Sequence, residues 1–580
     1  MQRKSRWSVA QGLPEAAALA DRIRVSPIVA QILLNRGITS DAECLSFLKP
    51  SLKLLHEPAT LPGLTTAAAR IAKAVRDGES IAIYGDYDVD GITASSILYH
   101  ALTGLGAKVR TYIPHRIEEG YGLNPEAIAK LCDEGAGLIV TVDCGVTAIA
   151  PAAVAAERGV DLIVTDHHEW KVKDGVAELP VAVAIVHPRL GGDYPNPYLC
   201  GAGVAFKLAW GVGQAIHGAR VGEHFKQLLV EMTAMAALGT IADVVPLVGE
   251  NRILASFGLQ CLPQSKILGI AALLESANLR GEKLDAFHVG FLLAPRLNAA
   301  GRMGHAGLAL ELLTTAGEER AAEIAAYLEA QNRERQATER QTLTEVTEEI
   351  ARLGDDAEGC HGILVGRRGW HPGVIGIVAS RVVDRLHRPT VLVAVNEEGV
   401  GSGSGRSIAG FHLAAALGVC GDLLVSHGGH EMAAGLKVKE GRLPELRERF
   451  QAHARATIGA EMLTPELKLE CETGLGMMTA QLVNELGRLG PFGHGNRKPL
   501  LACRAVEVAA TPRRVGKTGD HLQISLRQGG KVIKGIAFNR GDLADVLREG
   551  QRIDVAVEPS FNEWNGRVSV EVQIRDVRVG

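Results

Sequence analysis

Short apolar runs alternate with longer mixed segments between about Leu61 and Leu268. The runs Ile81 to Tyr84, Leu138 to Val142 and Asp161 to Thr165 have the length and continuity of buried parallel strands. The segment Ile92 to Leu102, which follows the first run, is predicted to form a helix. Strands that alternate with helices in this way predict a mainly parallel α/β sheet.

Different patterns flank this region. The first fifty or so residues predict short helices that end at Lys49-Pro50. The stretch from Glu318 to Leu353 is charged and contains neither Gly nor Pro, which predicts one long helix. A second α/β region is expected beyond it, with strands near Ile363 to Val365 and Thr390 to Ala394.

The character of the chain changes again from about Leu467 onward. Apolar and polar residues alternate there, as in Leu522 to Leu526 and Val568 to Ile574, and Asn565-Gly566 is a hairpin signal. Five short strands of this kind predict a small barrel, for which the oligonucleotide-binding (OB) fold is the natural candidate.

The predicted fold class is therefore α/β, with two α/β domains joined by a long helix and a C-terminal OB-type β-barrel. The predicted domain limits are 1–55 for an N-terminal helical segment, 56–317 for the first α/β domain, 318–355 for the long helix, 356–462 for the second α/β domain and 463–580 for the barrel.

Composition narrows the class of protein. With 580 residues, the chain is too long for one hydrophobic core. Its net charge of −4 argues against a protein that coats nucleic acid, so any such binding must be local. The nine cysteines are scattered singly with no Cys-x-x-Cys pair, which excludes a zinc ribbon and favours a reducing compartment. No apolar signal region or membrane-length run occurs, so we expect a cytoplasmic protein without a membrane span.

Acidic side chains crowd the end of the first predicted strand. Asp86, Asp88 and Asp90 occupy alternate positions directly after it. Carboxylates held this close repel one another unless protons or cations neutralise them. Their hard oxygen atoms suit Mg²⁺ or Mn²⁺.

Other strand ends supply further candidate ligands. Asp143 follows the second predicted strand, Asp166-His167-His168 follows the third, and Asp243 follows a helix-like run. Ligands of open α/β sheets sit outside the carboxyl ends of the strands, so these groups can face one crevice. Singly, each acid is more often a helix cap or turn residue, but together they favour a metal site.

The second α/β region contains a phosphate-binding composition. In the segment Gly401 to Ser407, small residues expose backbone N–H groups, hydroxyls donate and Arg406 supplies a guanidinium fork. A flexible turn is the simpler interpretation, but Gly428-Gly429-His430 in the same region favours the functional one.

Two basic clusters predict either a track for a nucleic acid strand or solvated surfaces. They consist of Arg367, Arg368, Arg381, Arg385 and Arg388, and of Arg513, Arg514 and Lys517. Most aromatic residues are expected in the core, although some are candidate stacking platforms: Trp370, Phe492, Phe538 and Trp564.

The Asp166-His167-His168 triplet and the upstream Asp-x-Asp-x-Asp run identify the chain as a member of the DHH phosphoesterase family. The resemblance covers nearly the whole chain, and it is most specific to the single-strand-specific exonucleases of that family. The segments that carry the narrower match are 239–243, 295–302, 403–407, 428–435 and 491–496. One position departs from the pattern, because Glu329 stands where the family has the first Asn of Leu-Asn-x-x-Asn.

The resemblance implies domains of the DHH and DHHA1 types and a site for two ions, Mg²⁺ or Mn²⁺. Asp143 would bridge the ions. Asp90, His167 and Asp243 would complete the coordination of one ion, and Asp86 and Asp88 would bind the other. His168 would lie beside the substrate phosphate and act in catalysis together with Asp143 and Asp88. Asp166 would orient the imidazoles.

The resemblance also implies residues that grip phosphate away from the metals: Arg116, Arg296, Asn298, Arg302, Ser404, Arg406, Ser407 and His430. In the long helix, Asn332, Arg333 and Arg335 would either face the same cleft or belong to a solvated connector.

The residues alone support a two-metal phosphoesterase with a basic substrate path. The resemblance implies a monomeric exonuclease that degrades single-stranded DNA 5′ to 3′ to 5′-mononucleotides in DNA repair and recombination. Its expected partners are single-strand-binding protein and a RecQ-type helicase. Two alternatives stay open. A phosphodiesterase for very short RNAs or cyclic dinucleotides would not need the barrel, and a non-catalytic DNA-binding scaffold would lack metal ligands.

Overall fold

The computed structural model of the chain describes residues 5–115, 119–120, 122–218, 221–302, 305–354 and 359–579. Internal contacts divide the chain into two compact units. One unit contains the chain up to Gly37, Arg333–Asn484 and the chain from Pro499, and we call it the composite unit. The other contains Ile38–Asn332 and Glu485–Lys498, and we call it the acidic unit.

The N-terminal segment begins with a strand and continues as helices. The strand pairs in parallel with the later strand Glu466–Leu469, through registers such as Trp7 opposite Leu467. The expected helices form, but the expectation of a purely helical segment misses this strand because its partner lies more than 450 residues away in the chain. The elements are β1 (Arg6–Val9), α1 (Glu15–Ile23), α2 (Pro27–Asn35) and α3 (Asp41–Leu48).

The sheet of the acidic unit has five parallel strands in the order β3-β2-β4-β5-β8. The strands β2 and β4 are buried nearly throughout, as their continuous apolar runs predict. The elements are α4 (Leu64–Asp77), β2 (Ser80–Gly85), α5 (Val89–Gly104), β3 (Lys108–Tyr112), α6 (Pro125–Asp133), β4 (Leu138–Val142), α7 (Ile149–Glu157), β5 (Asp161–Thr165), β6 (Lys171–Lys173), β7 (Val176–Glu178) and β8 (Ala184–Val186).

Helices cover this sheet and complete the core of the acidic unit. The helices α5 and α8 and the C-terminal half of α9 are largely buried on every side, which fits their apolar composition. The further elements are α8 (Gly201–His217), α9 (Glu223–Ala242), α10 (Gly249–Cys261), α11 (Leu268–Ser276), a π-helix (His288–Leu293), α12 (Ala294–Arg302) and α13 (Ala306–Thr314).

One long helix, α14, runs from Glu318 to Leu353, as the absence of Gly and Pro predicts. Over the described residues, no single helix has the length and apolar character that a membrane span requires.

The second sheet has five strands in the order β12-β13-β11-β10-β9. Residues 401–406 of the predicted phosphate loop 401–407 instead belong to the strand β11, which pairs with β10 and β13. Its glycines allow this, because a Cβ at Gly401 would lie 2.5 Å from Val393 and one at Gly403 would lie 2.7 Å from Leu436. The elements are β9 (Ile363–Arg368), α15 (Pro372–Leu386), β10 (Thr390–Val395), β11 (Val400–Arg406), α16 (Leu413–Val419), β12 (Leu424–Gly429), β13 (Ala433–Lys439) and α17 (Leu443–Thr457).

The C-terminal barrel closes because β16 pairs with both β17 and β19. Several of its strands are longer than predicted, and register shifts interrupt the pairings of β16. The hairpin forms at Asn565-Gly566, where both residues have positive φ. The elements are β14 (Glu466–Leu469), β15 (Cys471–Glu472), α18 (Ala480–Gly487), β16 (Leu501–Val515), β17 (His521–Gln528), β18 (Lys531–Ala537), β19 (Arg552–Trp564) and β20 (Arg567–Val579).

Candidate metal centre

Four neighbouring strands of the acidic unit end in polar residues at the same edge of the sheet. Asp86 follows β2, Asp143 follows β4, Asp166 follows β5 and His187 follows β8. The parallel register brings these ends together, since Gly85 pairs with Val142. The acidic and imidazole groups at these strand ends therefore lie in one crevice at the carboxyl edge of the sheet.

The loop after β2 is held by its own helix and by α12. Asp88 caps α5, because its Oδ1 accepts from the backbone N–H of Asp90 at 2.9 Å and of Gly91 at 3.1 Å. The side-chain oxygen of Asn298 accepts from the N–H of Val89 at 3.2 Å. The structure thus places Asn298 against the acidic loop.

The buried carboxylate of Asp90 meets the N-terminus of α8. Its Oδ2 accepts from the N–H of Gly201 at 2.6 Å and its Oδ1 from the N–H of Ala202 at 2.8 Å. The positive end of a helix stabilises a carboxylate, so α8 helps to hold this group in place. Gly239 allows the close packing, because a Cβ there would lie 2.5 Å from Asp90 Oδ1.

Asp143 occupies a special backbone conformation. Its φ is +62°, which is uncommon for a residue other than glycine and is often found at functional sites. The start of α8 lies against it, and a Cβ on Gly201 would approach the Cβ of Asp143 to 2.5 Å. Glycine at position 201 is therefore required for α8 to approach both Asp90 and Asp143.

Asp166 organises the histidine pair. Its Oδ1 accepts from the backbone N–H of His167 at 2.7 Å, from that of His168 at 3.1 Å and from Nδ1 of His168 at 2.7 Å. Its Oδ2 accepts from the N–H of Val146 at 2.9 Å. Burial acts to raise the pKa of Asp166, but these bonds and the attraction to His168 lower it to about 2. Burial likewise acts to lower the pKa of His168, but Asp166 raises it to about 9.

His167 lies at the centre of the acidic residues. Its Nε2 is 3.1 Å from Asp143 Oδ1, 3.6 Å from Asp243 Oδ2 and 3.7 Å from Asp90 Oδ2. Three groups have ligand atoms within 4.8 Å of one another: Asp86, Asp88 and Asp143; Asp90, His167 and Asp243; and Asp143, His167 and His168. The structure therefore brings together all of the predicted metal ligands, and Asp143 belongs to two of the groups.

The protonation of these groups fits a cation site. Burial raises the pKa of Asp143 well above its ordinary value, and repulsion from Asp90 adds to the effect. Burial and the same repulsion raise the pKa of Asp243 to about 8. Burial lowers the pKa of His167 to about 4, which leaves a neutral imidazole able to bind a metal.

Unsatisfied buried atoms support the same conclusion. Asp143 Oδ1 and His167 Nε2 lie close together, but among the described residues neither buried atom forms a hydrogen bond of normal geometry. Buried polar atoms are normally paired, so these two lack the partners that a cation would supply. Oxygen and imidazole ligands are the donors expected for Mn²⁺ and Mg²⁺.

The phosphate-gripping candidates of the acidic unit have different surroundings. Arg296 pairs with Glu329 at 2.8 Å and donates to the carbonyl of Leu292 at 2.5 Å. The backbone of Arg302 ends α12, but its side chain lies outside the described residues, as does the whole of Arg116.

The remaining candidates belong to the composite unit. Arg406 is half-buried on β11 and donates to Ser404 Oγ at 3.2 Å and to the carbonyl of Gly405 at 2.8 Å. The Ser407 hydroxyl is buried and donates to the carbonyl of Phe411 at 2.6 Å. The His430 side chain is exposed beyond the end of β12.

The first basic cluster is largely neutralised by carboxylates. Arg367 pairs with Glu345, Arg368 with Glu440 and Arg381 with Glu339. The inclusion of Arg388 in a surface track is wrong, since this residue is buried and its Nε donates to the carbonyl of Cys360 at 2.5 Å. Trp370 is buried, Phe492 is half-buried, and Phe538 and Trp564 are exposed.

His187 and Glu250 were not among the predicted site residues. His187 follows a run of only three strand residues, although the strand-end rule used for the acids also applies to it. Glu250 is buried with Lys207, and it accepts from the N–H of His56 at 2.8 Å. No local pattern marks Glu250, because its partners are brought together only by the fold.

Comparisons with known proteins agree with this architecture. Family models match the chain at residues 80–240 (DHH family, N-terminal domain), 360–456 (DHHA1 domain) and 469–576 (RecJ OB domain). These matches confirm the predicted fold class of two α/β domains and a C-terminal OB-type barrel.

Three known proteins match nearly all of this chain. The single-stranded-DNA-specific exonuclease RecJ of Bacillus subtilis is 38% identical over 99% of this chain and 71% of its own length. RecJ of Thermus thermophilus is 37% identical over 100% of this chain and 79% of its own length. RecJ of Escherichia coli is 34% identical over 95% and 96%.

Two solved structures of a RecJ with bound metal ions are also similar to this chain. The crystal structure of Thermus thermophilus RecJ in complex with Mn²⁺ is 34% identical, with a TM-score of 0.83 over 99% of this chain and 80% of that chain. The corresponding Mg²⁺ complex is 33% identical, with a TM-score of 0.78 over 99% and 78%. The acidic cluster of this chain has the ligands that suit the same ions. The chain therefore belongs to the RecJ family of single-stranded-DNA-specific exonucleases.

Proposed function

We propose that this exonuclease degrades single-stranded DNA from the 5′ end, releases 5′-mononucleotides and serves DNA repair and recombination. The observation that carries the proposal is the meeting of ligand atoms from Asp86, Asp88, Asp90, Asp143, His167 and Asp243 at one sheet edge. The family membership of the full chain supports the substrate class.

In this proposal the ligands are divided between two sites. Asp90, His167 and Asp243 would hold one cation, Asp86 and Asp88 would hold the other, and Asp143 would serve both. When bound, Mg²⁺ or Mn²⁺ would lower the pKa of water and stabilise charge on the phosphate oxygens. The α8 N-terminus fixes Asp90, and the capping bonds of Asp88 fix the loop, so the ligands need little reorganisation.

His168 is the proposed catalytic residue for proton movement. Its Nδ1 is held by Asp166 at 2.7 Å, which directs Nε2 away from that carboxylate. A ring in this position can stabilise negative charge or transfer a proton at Nε2 to or from the phosphate. Asp166 then acts by orienting the ring and stabilising its charged form.

The 5′ end requires cationic and hydrogen-bonding groups outside the metal site. We propose that it is gripped by members of the set Arg116, Arg296, Asn298, Arg302, Ser404, Arg406, Ser407 and His430. The half-buried guanidinium of Arg406 supports this, since it has no carboxylate partner among the described residues, and an anion would supply one.

The domain limits and the wider setting are also proposals. The predicted limits 1–55, 56–317, 318–355, 356–462 and 463–580 would separate the catalytic, connecting and DNA-binding parts. We further propose a monomer that acts with single-strand-binding protein and a RecQ-type helicase. The nine free cysteines suit a reducing compartment and so support a cytoplasmic location.

The test compares 5′-labelled and 3′-labelled single strands of the same sequence, both carrying a 5′ phosphate, in Mn²⁺. The expected result is immediate release of 5′-labelled mononucleotide, while the 3′-labelled strand shortens stepwise. The reverse pattern would contradict the polarity. Intact long strands combined with cleavage of dinucleotides would favour the small-substrate phosphodiesterase.

A further inference from the structure

His187 is a fully buried histidine at the carboxyl end of β8. Its Nε2 lies 2.8 Å from the backbone carbonyl oxygen of His168. Its Nδ1 accepts from the backbone N–H of Arg189 at 3.0 Å. The ring also packs edge-on against Trp170, with centroids 5.1 Å apart. Each ring nitrogen of His187 therefore has a defined partner.

These partners determine which nitrogen of His187 carries the proton. A carbonyl oxygen can only accept, so Nε2 must donate to His168. A backbone N–H can only donate, so Nδ1 of His187 must offer its lone pair to Arg189. His187 is therefore neutral, with its proton on Nε2, and it cannot exchange the two roles without breaking both bonds.

A second contact from the same segment reaches the neighbouring histidine. Arg189 Nη2 donates to the backbone carbonyl of His167 at 2.7 Å. The carbonyls of His167 and His168 are thus both held by residues that follow β8. Asp166 holds the N–H groups of the same two residues. The backbone of the histidine pair is therefore fixed through its donors and its acceptors.

We propose that His187, assisted by Arg189, is a positioning residue that fixes the His167-His168 backbone and so aims the two imidazoles into the metal centre. The inference rests on the proposed function, because it assigns His168 to the proton-transfer step. His187 touches neither substrate nor metal in this proposal. It acts through the carbonyl of His168, in the way that outer groups orient the residues of metal sites.

Two substitutions of His187 separate its two hydrogen bonds. Counted along the side chain, the amide nitrogen of glutamine stands where Nε2 stands, so His187→Gln can still donate to His168. The amide oxygen of asparagine stands where Nδ1 stands, so His187→Asn can still accept from Arg189 but cannot reach His168. The proposal requires the first bond, and a purely structural role would not distinguish the two variants in this direction.

His100 provides a matched control in the same unit. Its Nε2 also lies 2.8 Å from a backbone carbonyl, that of Leu313, and its ring also packs edge-on against an aromatic ring, that of Tyr99. It lies ten residues beyond Asp90 on α5, which is about 15 Å along the helix axis. His100→Gln and His100→Asn therefore report the cost of a lost histidine–carbonyl bond away from the histidine pair.

Two readouts are measured on the full-length protein. The first is kcat and KM for single-stranded DNA in Mn²⁺. The second is the proton NMR signal of His168 Nδ1–H in the metal-free protein, identified by its loss in His168→Asn. The second does not depend on activity, so it tests the positioning role even where the proposed function fails. Thermal melting identifies any variant that does not fold.

His187→Asn is expected to lower kcat by about 10- to 100-fold with little change in KM, and to broaden or remove the His168 signal. His187→Gln should retain the signal and most of kcat. Both His100 variants should retain the signal and kcat, although their melting temperatures fall. Equal behaviour of His187→Asn and His187→Gln, or an unchanged His168 signal in folded His187→Asn, would overturn the proposal.

Discussion

Glu329 Oε2 lies 2.8 Å from a guanidinium nitrogen of Arg296, and the side chains are only 16% and 11% exposed. The resemblance stated from the sequence implies an asparagine at this position, where the chain has Glu329. If Arg296 grips a phosphate, the substrate must compete with this carboxylate for the same cation.

Removal of that competing charge should tighten the binding of DNA. Glu329→Gln is expected to lower KM for single-stranded DNA about fivefold, equivalent to about 1 kcal/mol, at some cost in melting temperature. The control is Glu323→Gln, which removes an exposed carboxylate that pairs with Arg320 on the same helix. Equal KM values for the two variants would show that Glu329 does not compete for the substrate.

Two arginines of the composite unit should respond oppositely to substitution. Arg388 donates to the carbonyls of Cys360, His387 and Leu463, so Arg388→Gln should destabilise the fold. Arg406 has no comparable set of acceptors, and Arg406→Gln should raise KM about tenfold while the melting temperature stays unchanged or rises. Melting curves and KM are measured for both. A loss of stability without a change in KM in Arg406→Gln would remove Arg406 from the substrate path.

The glycine at the start of α8 provides a test of the site geometry. Gly201→Ala would place a Cβ 2.5 Å from the Cβ of Asp143, whereas the Cβ of Gly203→Ala meets the flexible end of Leu199 at 2.9 Å. We expect Gly201→Ala to reduce exonuclease activity about a hundredfold, because a small displacement of a site residue can cost this much. Gly203→Ala should stay near wild type. Similar activities of the two variants would show that the close approach of α8 to Asp143 is not needed.

The sequence was most informative where local patterns determine structure. The strand Leu138–Val142, the strand Asp161–Thr165 and the helix Glu318–Leu353 form as predicted, because each is a continuous run with a clear composition. The strand-end rule for parallel sheets then places Asp143 and Asp166 at one edge.

The sequence was less informative where tertiary contacts decide. The Gly/Ser segment 401–407 resembles a loop locally, but residues 401–406 form a strand because they pair with neighbouring strands on both sides. Arginine is usually a surface residue, but the fold places the guanidinium of Arg388 among backbone carbonyls. Tertiary context overrides local preference in both cases.

Metal-free protein should lose stability as the pH rises. Burial raises the pKa of Asp243 to about 8, so the unfolded state ionises this carboxyl at lower pH than the folded state. His168, whose pKa Asp166 raises to about 9 against the effect of burial, acts in the same direction above pH 6.5. In EDTA, we expect the melting temperature to fall by about 2 to 5 °C between pH 6.5 and 8.

Added Mn²⁺ should suppress this loss, because a bound cation favours the ionised carboxylates. Asp243→Asn should have a shallower pH dependence in EDTA, since one of the titrating groups is gone. A melting temperature in EDTA that is constant or rises over this interval would contradict the raised pKa values.

We propose that Asp143 joins two cation sites into one catalytic centre. The most direct measurement is digestion of a 5′-phosphorylated, 3′-labelled single strand in Mn²⁺ by wild type and by Asp143→Asn, which keeps the shape but removes the charge. We expect stepwise shortening by wild type and a rate at least about a thousandfold lower in a folded Asp143→Asn variant. Digestion by Asp143→Asn at the wild-type rate would contradict the claim.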